Sequence, residues 1–498
     1  MNRCAGVLLH ISSLPGKFGI GTLGEGAYKF VDFLEQCGFG AWQILPIGPC
    51  DSFNSPYAGG SSFAGNIFFI DPYILFKKGL LTEEEASSCI SEDRYTSKYD
   101  FLRSTRENIF YRAFLRLSEK ELQQVRLFEK KNIWVKDYAL YCAIKRENGG
   151  KPWYEWGELK YKDSPSAANA AESLKHQILF YEFLQYEFYS QWRTLKEYAN
   201  KKGIGIIGDM PIYPALDSAD VWAEPDCFSL NGDLIPEEGA GVPPDYFCED
   251  GQNWGNPLYN WEKMEKNGYS YWTDKLLNAL SLFDSVRIDH FRAFEKYWAV
   301  PAGKSAKDGA WKKGPGMKLF RKLKEKTPGA EIIAEDLGLI DDDVRCLLRE
   351  SGFPGMGVMQ FAFIDGDDNP HLPHNYSKKT VAYTGTHDNN TILGWLWESD
   401  AAARAYALDY CGFQGDWGEG GAESYVIRSV IRTLLRSSAL CAIVPMQDLC
   451  GFGADTRMNR PGTPEGNWEF RLTEEAMASV DTFFYKELNS LYKRGKML

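Results

Sequence analysis

The chain has 498 residues, a formal charge of −12 and 44% hydrophobic residues, enough for one large domain with insertions or for two or three ordinary ones. The acidic balance and the lack of a sizeable Lys/Arg cluster argue against nucleic acid as a partner, and no run of about 18 apolar residues is present to cross a membrane. The 11 cysteines have no paired C-x-x-C spacing and no secretory signal precedes the first apolar run, so reduced thiols and a cytoplasmic location are expected.

Ala5 to His10 is a short apolar run that reads as a first strand. Gly26 to Gly38 carries Phe30, Phe33, Leu34 and Cys37 at helical spacing, with Gly38 as a C-terminal stop. A second strand, Ala41 to Leu45, leads into a Gly/Ser/Asn-rich loop over 51–66 that contains Ser55-Pro56-Tyr57. Strand, helix, strand at this spacing predicts a parallel sheet. Residues 80–203 read as a mainly helical insertion between strands two and three, with Ile178, Tyr181, Leu184, Phe188, Trp192 and Leu195 as its core-facing stripe. Strand three is Gly205 to Asp209. Residues 214–261 lack periodicity but are rich in Trp and Tyr, which predicts an irregular active-site loop insertion rather than disorder. Strand four opens at Asp284, and the remaining strands are Glu331 to Asp336, Met356 to Phe363, Thr380 to Tyr383 and Cys441 to Met446. Eight β/α units predict an α/β fold, a (β/α)8 TIM barrel over 1–498 with large helical and loop insertions and no C-terminal β-sandwich.

In such a barrel the reacting groups sit at the C-terminal strand ends. Those ends carry Asp209, Asp289, Glu335-Asp336 and Thr386-His387-Asp388. A single acid there is unremarkable, because Asp is common in turns and caps. Several acids at one mouth repel one another unless they hold a cation or share acid, base and nucleophile roles. Arg287 and Asp289 are two residues apart on one strand and face the same way. A guanidinium there opposes a bound metal and is expected to lower the pKa of Asp289. Carboxylate chemistry is therefore favoured over a metal site. Glu335 follows the apolar run Ile332-Ile333-Ala334, where partial burial raises a carboxyl pKa as a general acid requires. A retaining glycosidase needs such a pair roughly 5 Å apart. The 15 Trp, 27 Tyr and 30 Phe suit sugar faces as well as core packing.

Arg287-Ile288-Asp289, Ala334-Glu335-Asp336 and Thr386-His387-Asp388 match, in order and spacing, strand motifs of the α-amylase clan. More specifically the chain resembles the amylomaltases, also called 4-α-glucanotransferases or disproportionating enzymes. The matching stretches include Gly6 to His10, Ser55-Pro56-Tyr57, Phe63-Ala64-Gly65-Asn66, Gly208 to Tyr213, Gly241 to Phe247, Trp254 to Tyr259, Arg457-Met458-Asn459, Pro461-Gly462-Thr463 and Gly466-Asn467-Trp468. The resemblance implies Asp289 as nucleophile, Glu335 as general acid/base and Asp388 as the third, transition-state carboxylate, with Arg287 supporting the nucleophile. It implies glucose contacts from Tyr57, Asp209, Trp254, His290, His387 and Asn467, and a loop with Tyr246 and Phe247 over the cleft. The implied partners are α-1,4-glucans (maltooligosaccharides, starch or glycogen chains), with no metal and no organic cofactor. A hydrolytic α-amylase-type enzyme and a non-catalytic glucan-binding protein are the alternatives from other classes. Ala58, Ser62 and Cys248-Glu249-Asp250 depart from the family pattern and bear on remote subsites rather than on the chemistry. No additional N-terminal domain or starch-binding module is expected.

Overall fold

The computed structural model describes residues 1–244, 249–364, 366, 368–463 and 465–498. Eight parallel strands form its centre: β1 (Cys4–Leu8), β2 (Ala41–Gln43), β3 (Gly205–Met210), β4 (Ser285–Ile288), β5 (Ile332–Ala334), β6 (Gly355–Val358), β7 (Thr380–Tyr383) and β8 (Cys441–Pro445). Alternate residues are buried in two places. Cys4, Ala41, Ile207, Ile333, Val381 and Ile443 fill the barrel interior. Val7, Trp42, Ile206, Val286, Ile332 and Val444 join the outer core with helix residues such as Phe30 and Leu34. This period of two, with both faces apolar, is what a covered parallel sheet requires. Each large side chain so buried contributes roughly 1.5–3 kcal/mol.

Parallel ladders join neighbouring strands in the order β6-β7-β8-β1-β2-β3-β4-β5. The last junction, between β5 and β6, closes through one backbone bond, from Ala334 N–H to Pro354 O at 2.9 Å. The chain is thus a TIM barrel with one weak seam. β6 is shorter than the run Met356 to Phe363 predicts. Its ladder ends at Val358, and Met359–Phe361 coils into a 3-10 turn that keeps Met359 and Gln360 buried. An apolar run that remains buried looks the same from sequence in either conformation.

Between β2 and β3 the chain runs through a series of helices, the longest being Lys175–Lys201. That helix buries Tyr181, Leu184, Phe188, Trp192 and Leu195 along one stripe, with Ile178 partly buried beside them. It also anchors the loop before it in sequence. The Gln185 amide bonds both backbone groups of Gly65, at 2.8 and 3.0 Å. A methyl group on Gly65 would stand 2.0 Å from the Phe188 ring, so only glycine permits this approach. The loop that carries Tyr57 is therefore fixed at its far end to the helical layer.

Within 214–261 two strands form, Glu238–Val242 and Gln252–Pro257. Lys296–Pro301 and Ala310–Lys313 extend them into a four-stranded antiparallel sheet beside the barrel mouth. Gly239, Gly241 and Gly255 interrupt the alternation that would have marked these strands in the sequence. After β8 the chain ends in short helices, the last being Thr482–Leu491. Among the described residues no helix is long and apolar enough to cross a membrane.

Candidate active site

Strand parity decides which side chains reach the barrel axis. Ile207 and Ile333 face inward, so Asp209 and Glu335, two residues further on, turn inward too. Val286 and Ile288 face outward, which leaves Arg287 and Asp289 on the inner side. β3 and β4 pair Asp209 with Arg287 in register. Arg287 then becomes the hub of the site. It donates through Nε to Asp209 Oδ1 at 2.9 Å and through one terminal nitrogen to Asp209 Oδ2 at 2.6 Å, Asp289 Oδ1 at 3.0 Å and the Tyr57 hydroxyl at 3.2 Å. Tyr57 in turn donates to Asp209 Oδ2 at 2.6 Å.

A cleft of about 810 Å³ opens above this hub. Asp289, Glu335 and Asp388 all line it, together with Tyr57, Trp254, Arg287, His290, His387 and Asn467. Asp209 does not. Its side chain has no exposed surface, and both its oxygens are taken by Arg287 and Tyr57. The expected glucose contact from Asp209 is thus corrected to a role one layer below, holding the guanidinium. Asn467 borders the cleft, but its amide serves the turn it belongs to. Its Oδ1 accepts from Arg460 N–H at 2.8 Å and its Nδ2 donates to Thr463 O at 2.8 Å. Tyr246 and Phe247 lie outside the described residues.

Asp289 and Glu335 are linked through the residue between them in space. His290, directly after Asp289, adopts the left-handed region at φ 48°. That conformation is costly for a non-glycine residue, and here it aims the His290 N–H at Glu335 Oε2, 2.7 Å away. Leu337 N–H binds the other Glu335 oxygen at 2.9 Å. The Trp254 ring meets the His290 ring edge-on at 5.0 Å. Burial drives the His290 imidazole down to about 3, so it is neutral and able to accept or donate to a sugar hydroxyl. His387 stacks on Tyr57 at 5.0 Å, and its Nε2 lies 3.3 Å from Asp388 Oδ2.

Burial raises the carboxyls of both Asp289 and Glu335. For Asp289 the guanidinium of Arg287 opposes that rise, as the sequence reading expects, but it does not prevail. Arg287 is shared with Asp209, and the neighbouring charges of Asp209, Glu335 and Asp388 add to the rise. For Glu335, Arg287 and the N–H groups of Leu337 and His290 are the opposing influences. For both groups the neutral form is thus favoured by burial and the charged form by the donors around it.

Asp388 has a clamp that the sequence reading did not assign. Asn459 Nδ2 donates to Asp388 Oδ1 at 2.6 Å, and Asn459 N–H donates to His387 O at 3.1 Å. Arg457 bonds the Asp388 backbone oxygen and, through Nε, Asn459 O at 2.8 Å. The signal was present as Arg457-Met458-Asn459, but nothing in its spacing tied it to Asp388, which is 71 residues away from Asn459.

The sequence profile described as 4-alpha-glucanotransferase matches residues 9–477. The chain belongs to that family. It is 43% identical to the 4-alpha-glucanotransferase of Aquifex aeolicus over 99% of both chains, and 42% identical to that of Clostridium butyricum over 97% of this chain and 98% of that one. Among solved structures, the amylomaltase from Streptococcus agalactiae in complex with acarbose superposes with a TM-score of 0.95 at 39% identity, covering 99% of this chain and 100% of that one. Family membership makes the chain a glucan-transferring enzyme.

Proposed function

We propose that the protein transfers α-1,4-glucan segments from a donor maltooligosaccharide or starch-type chain to the 4-hydroxyl of an acceptor glucan or glucose, by a retaining double displacement. Glu335 protonates the glycosidic oxygen while Asp289 attacks C1 of the donor. The bond from C1 to the leaving oxygen breaks, a C1–Oδ bond to Asp289 forms, and the reducing-end fragment departs with the proton. Glu335, now a carboxylate, takes the proton from the acceptor 4-hydroxyl as that oxygen attacks C1 and displaces Asp289. Two inversions leave the new bond α. Asp388, held by Asn459, accepts hydrogen bonds from ring hydroxyls and favours the flattened sugar of the transition state. His387 and His290 contact those hydroxyls, and Tyr57 and Trp254 pack against sugar faces. Neither a metal nor an organic cofactor has a part in these steps.

The observation that carries this reading is the bond from His290 N–H to Glu335. It brings the proposed acid/base against the residue that follows the proposed nucleophile, inside one cleft over one guanidinium. Transfer rather than hydrolysis requires an acceptor sugar to displace water at the intermediate, which aromatic surfaces at the cleft rim promote by excluding solvent. In this reading residues 1–498 act as a single catalytic barrel, with 80–203 and 214–261 as its insertions. The ten described cysteines, all unpaired, fit a cytoplasmic setting. The test is incubation with maltotriose and chromatography of the products. Transfer predicts glucose together with a ladder of longer maltooligosaccharides. Glucose and maltose alone would mean a hydrolase, and binding without products a non-catalytic protein.

A further inference from the structure

The seam in the barrel lies directly under the proposed acid/base. Glu335 is the first residue past β5, which is three residues long. On the β4 side its backbone is well held. Glu335 N–H donates to Ile288 O at 3.0 Å, and Phe291 N–H donates to Glu335 O at 2.9 Å. On the β6 side the ladder is missing, and the single backbone bond from Ala334 to Pro354 lies before Glu335.

The next residue spans that gap with its side chain. Strand parity turns Asp336 the opposite way from Glu335, outward and toward β6. Its Oδ1 accepts from Met356 N–H at 2.6 Å. Met356 pairs with Val381 on its other side, so the bond ties Asp336 to the intact part of the barrel. Room for the carboxylate exists because residue 355 is glycine. A methyl group there would stand 2.6 Å from Asp336 Oδ2. Asp336 plays no part in the double displacement, and it does not line the cleft.

We propose that Asp336 is a positioning residue whose carboxylate replaces the absent rung between β5 and β6 and so fixes Glu335 relative to the glycosidic oxygen. Burial is consistent with a closely held group, pushing the Asp336 carboxyl up to about 7. The inference rests on Glu335 being the general acid, and the experiment separates the two ideas. α-Maltosyl fluoride transfers its maltosyl group without needing protonation of the leaving group, whereas maltotriose needs the acid. A residue that acts through Glu335 must therefore affect the two donors differently, while a general loosening of the fold affects both alike.

Asp336→Ala is expected to lower kcat/KM for maltotriose by about 100-fold, the scale of a displaced catalytic group, and for α-maltosyl fluoride by less than about threefold. Asp336→Asn keeps an oxygen that accepts from Met356 N–H and should restore maltotriose activity to near the parent level. Gly355→Ala, which leaves Asp336 in place but pushes its carboxylate aside, should reproduce the selective loss and serves if the alanine variant fails to fold. Equal losses on both donors, or no loss on either, would overturn the proposal. Glu335→Gln is run alongside. If its first step, read as the burst of fluoride release from α-maltosyl fluoride and as kcat/KM for maltotriose, slows equally on both donors, the assignment of Glu335 as acid fails on its own account, whatever the Asp336 variants show.

Discussion

The floor of the cleft and its rim are built by different means. The floor is made of strand ends. Asp289, Arg287 and Asp209 sit on two neighbouring strands paired in register, and each charge is met by another within 3.0 Å. The rim is made of loops and of the small antiparallel sheet. Trp254 there is 38% exposed, and its indole N–H reaches no further than Gln252, two residues away. The floor is rigid because moving any member strands a buried charge. The rim is free to vary because little rests on it. Chemistry therefore belongs to the floor, and the choice between water and sugar, and among sugars, belongs to the rim.

The largest expected effect removes the nucleophile. Asp289→Ala should cut turnover of maltotriose on the order of 10⁴-fold or more, with little change in melting temperature, since Arg287 keeps its two bonds to Asp209. Near-normal turnover would take Asp289 out of the mechanism. Asp209→Ala breaks the floor differently. It leaves Arg287 buried with Asp289 as its remaining carboxylate partner, and a loss of roughly 3–5 kcal/mol of stability is expected by denaturant titration. An unchanged unfolding midpoint would show that Asp209 is not the counter-charge inferred here.

Much of this floor was legible beforehand because strands write their geometry into the sequence. Arg287 and Asp289 had to share a face, and the run Ile332-Ile333-Ala334 marked Glu335 as a strand end. What was not legible depends on who the neighbours are. The spacing could not show that Asp209 hides behind Arg287 rather than facing the cleft, nor that Arg287 divides its charge between two acids and so leaves Asp289 raised. Glycines hid the first two strands of the antiparallel sheet, Glu238–Val242 and Gln252–Pro257, which form by pairing with their neighbours rather than through propensity of their own. The Asn459 clamp joins segments too far apart in sequence for any local pattern to connect them.

Asn459 lies between floor and rim and should behave so. Asn459→Ala frees one Asp388 oxygen from its donor, and a fall in kcat of about 10- to 100-fold is expected, from the worth of a hydrogen bond to a charged group. A change confined to KM would place Asn459 with the rim instead. The pH dependence of the floor has a definite sign. Burial raises the Glu335 carboxyl, so the acid is present below its raised pKa and is lost as pH climbs through it. kcat/KM for maltotriose should therefore fall on the alkaline side while that for α-maltosyl fluoride stays level, and parallel alkaline limbs would contradict the assignment. The smallest effect is expected at the rim. Trp254→Ala should leave the first step on α-maltosyl fluoride within about threefold of the parent while shifting products from transfer toward hydrolysis, because water then enters more freely. Loss of the first step would show that Trp254 belongs to the floor.

The covalent bond to Asp289 is tested most directly by trapping it. Glu335→Gln protein mixed with α-maltosyl fluoride should form the first intermediate without the acid and then stall, because no base activates the acceptor. Intact-protein mass spectrometry after rapid quenching should show one added maltosyl unit, and peptide mapping should place it on Asp289. A protein that consumes the fluoride with no added mass, or that carries the sugar on another residue, would contradict the double displacement proposed for this cleft.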